Sequence, residues 1–183
     1  MQFAKDSFFL ALQERLAGLN PARVVTVSGA MVPAVVVLEN LPPAYGERKP
    51  NTFYVEFGAA QLELGGGWNC GLMSLDVAIS YYSLGSVASM VDRGRLLAQL
   101  DTELLSICQP PNTEKRDYSR SPSIDLGTRV FWSEPTFPVN DVAAGGESSA
   151  GKGSATQIER QEAARVERKA RVKMYFFPEG AQS

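Results

Sequence analysis

Trp68–Ser83 reads WNCGLMSLDVAISYYS, and its pattern decides the fold class. Met73, Leu75, Val77, Ile79 and Tyr81 alternate with Ser74, Asp76, Ala78, Ser80 and Tyr82, the two-residue period of a strand. One face is apolar and the other is largely small or polar. Such a strand belongs to a sheet covered on one side only, which points to an antiparallel sheet and away from a doubly wound parallel one.

Working outward, Thr52–Gly58 (TFYVEFG) predicts a strand before it, after a loop over Leu41–Asn51 that carries Pro42, Pro43, Gly46 and Pro50. Arg23–Ser28 and Val32–Asn40 predict an antiparallel hairpin turning at Ser28-Gly29. Pro33 lacks a ladder donor and suits a strand start or a sheet edge. At the N-terminus, Asp6 or Ser7 can cap a helix whose Phe8, Phe9, Leu12 and Leu16 share one face and which stops at Asn20-Pro21.

On the other side, Ser89 and Asp92 have the spacing of a capping box. Leu96, Leu97, Leu100, Leu104, Ile107 and Cys108 continue as an apolar helical stripe that Pro110-Pro111 ends. Asp101 and Glu103 fall on its exposed side. Asn112–Asp125 reads as a polar loop and Thr128–Trp132 as a short strand. Residues 143–163, rich in Gly, Ser and Ala, read as a flexible insertion or arm. From Arg165 to Phe177 the alternation predicts a last strand, although helix formers precede it. The expectation is a single α+β domain over 1–183: one mainly antiparallel sheet with two amphipathic helices on one face.

Composition narrows the chemistry. The 183 residues include no histidine, which removes the usual Ser-His-Asp and Cys-His designs and the imidazole base. Cys70 and Cys108 make neither a disulfide framework nor a metal cluster and read as small buried hydrophobes. A net charge of −2 points to neither nucleic acid nor an anionic membrane. No apolar run is long enough to span a bilayer, and the start, MQFAKDSF, lacks the pattern of a signal peptide, so synthesis in the cytoplasm is expected.

Gly146–Gly153 (GESSAGKG) comes close to a phosphate-binding loop, but Gly153 stands where the Mg²⁺-binding hydroxyl belongs, so a linker is the better reading and a nucleotide enzyme using Lys152 the weaker. Gly65-Gly66-Gly67 with Gly71 is followed by a strand, where a dinucleotide loop needs a helix. Glu39, Glu56, Glu63, Asp76, Asp101 and Asp125 offer carboxylates, yet no spacing selects a pair, so solvated faces explain them better. On the last strand Arg165, Lys169, Arg171 and Lys173 share a face relieved by Glu167. That face reads either as a charge-protected solvated edge or as a docking or DNA-lining surface.

Taken in order, several segments resemble bacteriophage tail terminator (tail-completion) proteins. They are the N-terminal amphipathic helix, Pro33–Asn40 (PAVVVLEN), Tyr81 with Gly85, Asp92–Arg95 (DRGR) running into Leu100–Leu105 (LDTELL), Lys115 with Asp117-Tyr118, Asp125–Gly127 (DLG), Val130–Trp132 (VFW) and Phe176–Glu179 (FFPE). The resemblance spans most of the chain outside 143–163. It implies an α+β virion subunit that forms a homohexameric ring, caps the finished tail tube and joins it to the neck and head. It implies no catalytic residues, metal or cofactor. The implied partners are other copies, the tail tube and sheath, and a neck connector, with passing DNA met only non-specifically and no membrane. Another neck or head–tail connector subunit, or the cap of a contractile injection system, is the alternative. Within that reading the charge clusters suggest Asp92, Arg93, Arg95, Lys115, Arg116, Asp117, Tyr118 and Arg120 as subunit-interface residues. Arg165, Lys169, Arg171 and Lys173 would face the lumen or the tube.

Overall fold

The computed structural model describes residues 1–40, 48–63, 71–84, 90–138 and 165–178; the side chains of residues 40, 90–93, 165 and 166 also lie outside the description. The Gly-rich stretch 65–67, the helix cap at Ser89, Cys70 and all of 143–163, including the near phosphate loop, fall outside the described residues.

The elements run α1 (Gln2–Leu19), β1 (Val24–Val27), β2 (Ala30–Pro33), β3 (Val35–Val37), β4 (Phe53–Leu62), β5 (Met73–Leu84), α2 (Met90–Ile107), β6 (Asn112–Asp117), β7 (Ile124–Trp132) and β8 (Arg165–Phe176). Six strands make one sheet in the order β3-β4-β5-β8-β7-β6, while β1 and β2 form a separate two-stranded ribbon. The fold is α+β, with every pairing in the large sheet antiparallel except the β3–β4 pair.

β5 keeps its apolar face as its period requires, but burial does not alternate along it: Ser74, Ser80 and Tyr82 on the opposite face are buried as well. Leu75, Val77, Ile79 and Tyr81 are buried on the helix-bearing face, and Ala170, Val172, Met174 and Phe176 of β8 join them. The two strands pair without a break from Met73↔Phe176 to Leu84↔Arg165. From α1, Phe8 enters this layer and meets Trp132 edge-on at 5.1 Å and Phe57 at 6.3 Å. From α2, Leu97, Leu100, Leu104 and Ile107 complete the core.

α1 also ties the two ends of the sheet together. Ser7 Oγ accepts the Arg116 backbone N–H of edge strand β6 at 3.0 Å, and Gln13 Nε2 donates to Val35 O of edge strand β3 at 2.9 Å. The sheet therefore curls around the helix, and α1 satisfies a backbone group on each edge. A short hydroxyl and a long amide, spaced along one helix, close the two edges at these points.

Four local expectations change. The first helix begins at Gln2, so Ser7 is no cap. It sits in the second turn with its hydroxyl bonded back to Phe3 O at 2.6 Å. The single strand expected over Val32–Asn40 is two, joined at buried Ala34: β2 stays with the ribbon, and β3 pairs parallel with β4. Pro33 ends β2 opposite Val24, a position that asks for no N–H in the ladder, and one more backbone bond follows it, from the Ala34 N–H to Arg23 O at 3.0 Å. The polar loop expected over Asn112–Asp125 is a hairpin, with β6 paired to β7. Its alternation is hidden because the buried positions are Lys115 and Asp117, polar residues that find partners inside. Finally, β8 is no edge strand. It lies between β5 and β7, so solvated-edge protection does not account for its charges.

β4 carries a register shift between Phe57 and Ala60, where Gly58 lies. A Cβ on Gly58 would come within 3.0 Å of Asp76 O, so the backbones approach here as only glycine permits without adjustment. The Ser28-Gly29 turn holds as expected, with φ of 50° and 84°, the two positive values a two-residue hairpin turn with the sheet's twist requires.

Candidate functional site: the outer face of the sheet

The face of β4, β5 and β8 turned away from the helices is a shallow groove of about 410 Å³, floored by Gly58 and Ala78 and rimmed by Glu56, Asp76, Lys169 and Arg171. Its charges are matched across strands. Lys169 Nζ lies 3.9 Å from Glu56, Lys173 Nζ 2.7 Å from Glu63, and Arg48 3.8 Å from Glu167. Asp76 stands directly opposite Lys173 in the β5–β8 register. Three described cations on β8 thus share the face with three carboxylates on β4, its C-terminal extension and β5.

The Lys173–Glu63 contact is the tightest of these. The hydrogen bond from Lys173 holds the Glu63 carboxyl below the usual carboxylate range, with Ser74 assisting, and the same bond holds the Lys173 ammonium above its ordinary range. At Thr136 the chain after β7 bonds to Arg171 in both directions, N–H to carbonyl at 2.8 and 2.9 Å, which fixes the far wall of the groove.

Of the residues expected at subunit interfaces, Lys115, Arg116 and Asp117 are engaged by partners within the chain, and Lys115 and Asp117 are buried. Lys115 is 2% exposed and donates to Phe177 O at 2.7 Å, with burial lowering its pKa. Asp117 accepts from the Ser119 hydroxyl and backbone N–H, bonds that depress its pKa, and it pairs with Arg120 at 3.2 Å. Arg116 binds Glu114 at 2.9 Å and Ser123. Tyr118 and Arg120 remain on the surface, as does Arg95 on α2. The Asp92, Arg93 and Arg165 side chains lie outside the described residues. Lys169, Arg171 and Lys173 do share one face, as their alternation requires, and Lys169 and Arg171 are exposed on it.

Sequence reasoning missed two inward-facing carboxylates. Glu103 was assigned to the exposed side of α2, yet it is 8% exposed and meets Arg23 Nε at 2.5 Å, with Asn20 donating at 3.0 Å. Asp101 receives Arg168 at 2.7 Å and the hydroxyl of Tyr81, whose pKa is raised by burial and by that carboxylate. Their arginines come from β8 and the segment before β1, far away in sequence, so no local spacing could reveal either pair. Arg15 of α1 donates to the carbonyls of Ile107, Pro110 and Asn112 at 2.8–3.1 Å and lies 5.2 Å from the Trp132 ring. It closes the C-terminal end of α2. Cys108 is buried beneath it, its thiol pushed up to about 12, which makes it a packing residue with no nucleophilic character.

Among the described residues there is no group of three or more Cys, Asp or Glu side chains placed to hold a metal ion, and no helix long and apolar enough to cross a membrane. A scan against protein-family models finds no match for the chain, and a search of curated proteins likewise finds none.

Proposed function

We propose that this chain is a structural virion subunit that acts without catalysis: it closes into a ring, caps a phage tail tube and joins the tube to the neck. The observation that carries this reading is the charge-matched outer face of the sheet. Lys169 is answered by Glu56, Lys173 by Glu63 with Asp76 opposite it in register, and exposed Arg171 stands between them, giving mixed sign over a broad, shallow surface. Such a surface suits another protein carrying the reciprocal pattern, because matched charges fix orientation and exclude wrong partners. A surface shaped for DNA would present cations without carboxylates between them. Of the two roles considered for β8, tube docking is therefore favoured over lining a DNA channel.

The order of the segments that resemble tail terminators supports the same reading. Their described residues fall in turn on α1, the end of β2 with β3, β5, α2, β6, β7 and the end of β8, while Gly85 and Glu179 lie outside the described residues. The ring, its expected sixfold number and its place in the virion rest on that resemblance.

The test is mass photometry of the purified protein over a concentration series, with negative-stain images, followed by addition to growing tail tubes. Rings of one size that halt tube growth are expected. The double variant Lys169→Glu with Arg171→Glu should leave the rings intact and abolish capping. Capping that survives this reversal would remove the outer face as the docking surface. A chain that neither forms rings nor binds tubes would end the terminator reading.

A further inference from the structure

The ribbon β1–β2 is apolar on both faces. Its register puts Val25, Val27, Ala30 and Val32 on one side and Val24, Thr26, Met31 and Pro33 on the other. On the first side Val25 is buried, and Val27 and Val32 pack with Phe9 against the core. The second side faces solvent, with Met31 73% and Val24 40% exposed. A half-solvated antiparallel ribbon ordinarily carries polar residues on its wet face, and a two-stranded sheet is marginal by itself. Here Thr26 is the single polar residue on that face.

Charge, the usual guard of an exposed ribbon, is also missing. From Val24 to Leu38 there is no charged residue. The charges that flank this stretch are spent within the chain, Arg23 on Glu103 and Glu39 on Lys5 at 3.1 Å. Beside the inner side of the ribbon lies an open groove of about 300 Å³, lined by Phe9, Val27, Val32 and the three residues of β3, with Gln13 at its rim. Met31 lies on the opposite side of the ribbon from Val32 and so cannot fill the groove of its own chain.

We infer that this ribbon is a contact between copies of the chain: the outward side of one ribbon, led by Met31, seats in the groove beside β3 of a neighbouring copy. Knob and socket are both uncharged, and the ionic groups around them are neutralised internally, so each matches the other better than a charged partner. An unbranched, polarizable Met adapts to a socket made of Val and Phe side chains. Because knob and socket are different surfaces of one chain, the contact is heterologous. It repeats head to tail and closes into a ring when the rotation allows. The inference rests on the ring-forming reading and names the surfaces that would build the ring.

The experiment co-expresses two differently tagged full-length chains in a Cys70→Ser background, one Met31→Cys and the other Val36→Cys, under mild oxidation. A disulfide-linked species carrying both tags is expected, with no linkage when either variant is expressed alone. In parallel, Met31→Asp should raise the concentration needed for assembly at least tenfold, while circular dichroism and the melting midpoint stay at wild-type values. Rings that form without the mixed linkage, and that Met31→Asp leaves unchanged, overturn this contact and leave the ring reading standing. A mixed linkage in open chains that never close supports the contact and removes the ring. Linkage between two Met31→Cys chains would mean symmetric ribbon pairing and overturn the groove assignment. Saturation of the groove by a different protein, with no mixed linkage, would overturn it as well.

Discussion

The two faces of β5 and β8 share one backbone and one register, yet they hold together by different means. On the inner face Leu75, Val77, Ile79 and Tyr81 meet Ala170, Val172, Met174 and Phe176 out of contact with water. There each buried side chain contributes through lost apolar area and close packing. On the outer face, Asp76, Ala78 and Ser80 run beside Lys169, Arg171 and Lys173, and the contacts are ion pairs in or near solvent. Such pairs add little to stability and much to the pattern another surface must match. Stability and recognition are thus written on alternate residues of the same strands.

The contrast breaks most readily from the inside. Phe8→Ala removes the ring wedged between Trp132 and Phe57 and should cost about 3–5 kcal/mol, read from the shift of the urea unfolding midpoint. A loss under about 1 kcal/mol would mean that α1 does not carry the core as described. Next in size is Glu103→Gln, which leaves Arg23 buried without its carboxylate. Roughly 3 kcal/mol of destabilisation is expected in the same assay. Tyr81→Phe keeps the ring against Phe53 and deletes only the hydroxyl that donates to Asp101, so about 1 kcal/mol is expected.

The outer face should hardly register in stability, and what it does contribute should follow pH and salt. The folded pKa of Glu63 is depressed, so its contribution is present above the ordinary carboxylate range and fades as pH falls through the lowered value. Lys173 is raised, so its contribution is present below the ordinary lysine range and fades as pH climbs through the raised value. Between those limits the pair is intact and weakened by salt. Comparing wild type with Lys173→Met should show a small midpoint difference near neutral pH and low salt that vanishes in acid or at high salt. A difference that persists under those conditions would place the pair in the packed interior and erase the contrast between the faces.

The legible parts of the fold are those whose signal is local. The period-two run from Met73 to Tyr81 identified β5 and its buried face, and the stripe from Leu97 to Cys108 identified α2. Alternation likewise revealed β8 in spite of the helix formers around Arg165. The charged face of β8 was visible for the same reason, since side chains two residues apart must share a face. β6 was not visible, because Lys115 and Asp117 occupy its inward positions and are satisfied by Phe177 O, Ser119 and Arg120. Nor was the break at Ala34, where β2 and β3 form one continuous apolar run in sequence but join different sheets.

What the sequence by itself determined is therefore the kind of element and the face each residue occupies, because periodicity is set by backbone geometry within a few residues. Only the tertiary structure decided which strands are neighbours, that β8 lies inside the sheet, that α1 closes both edges, and which carboxylate answers Arg23, Arg168, Lys169 and Lys173. Those choices pair residues far apart in the chain. They are settled by the sum of many weak contacts against the entropy of closing the loops between them, and no local window of sequence records that sum.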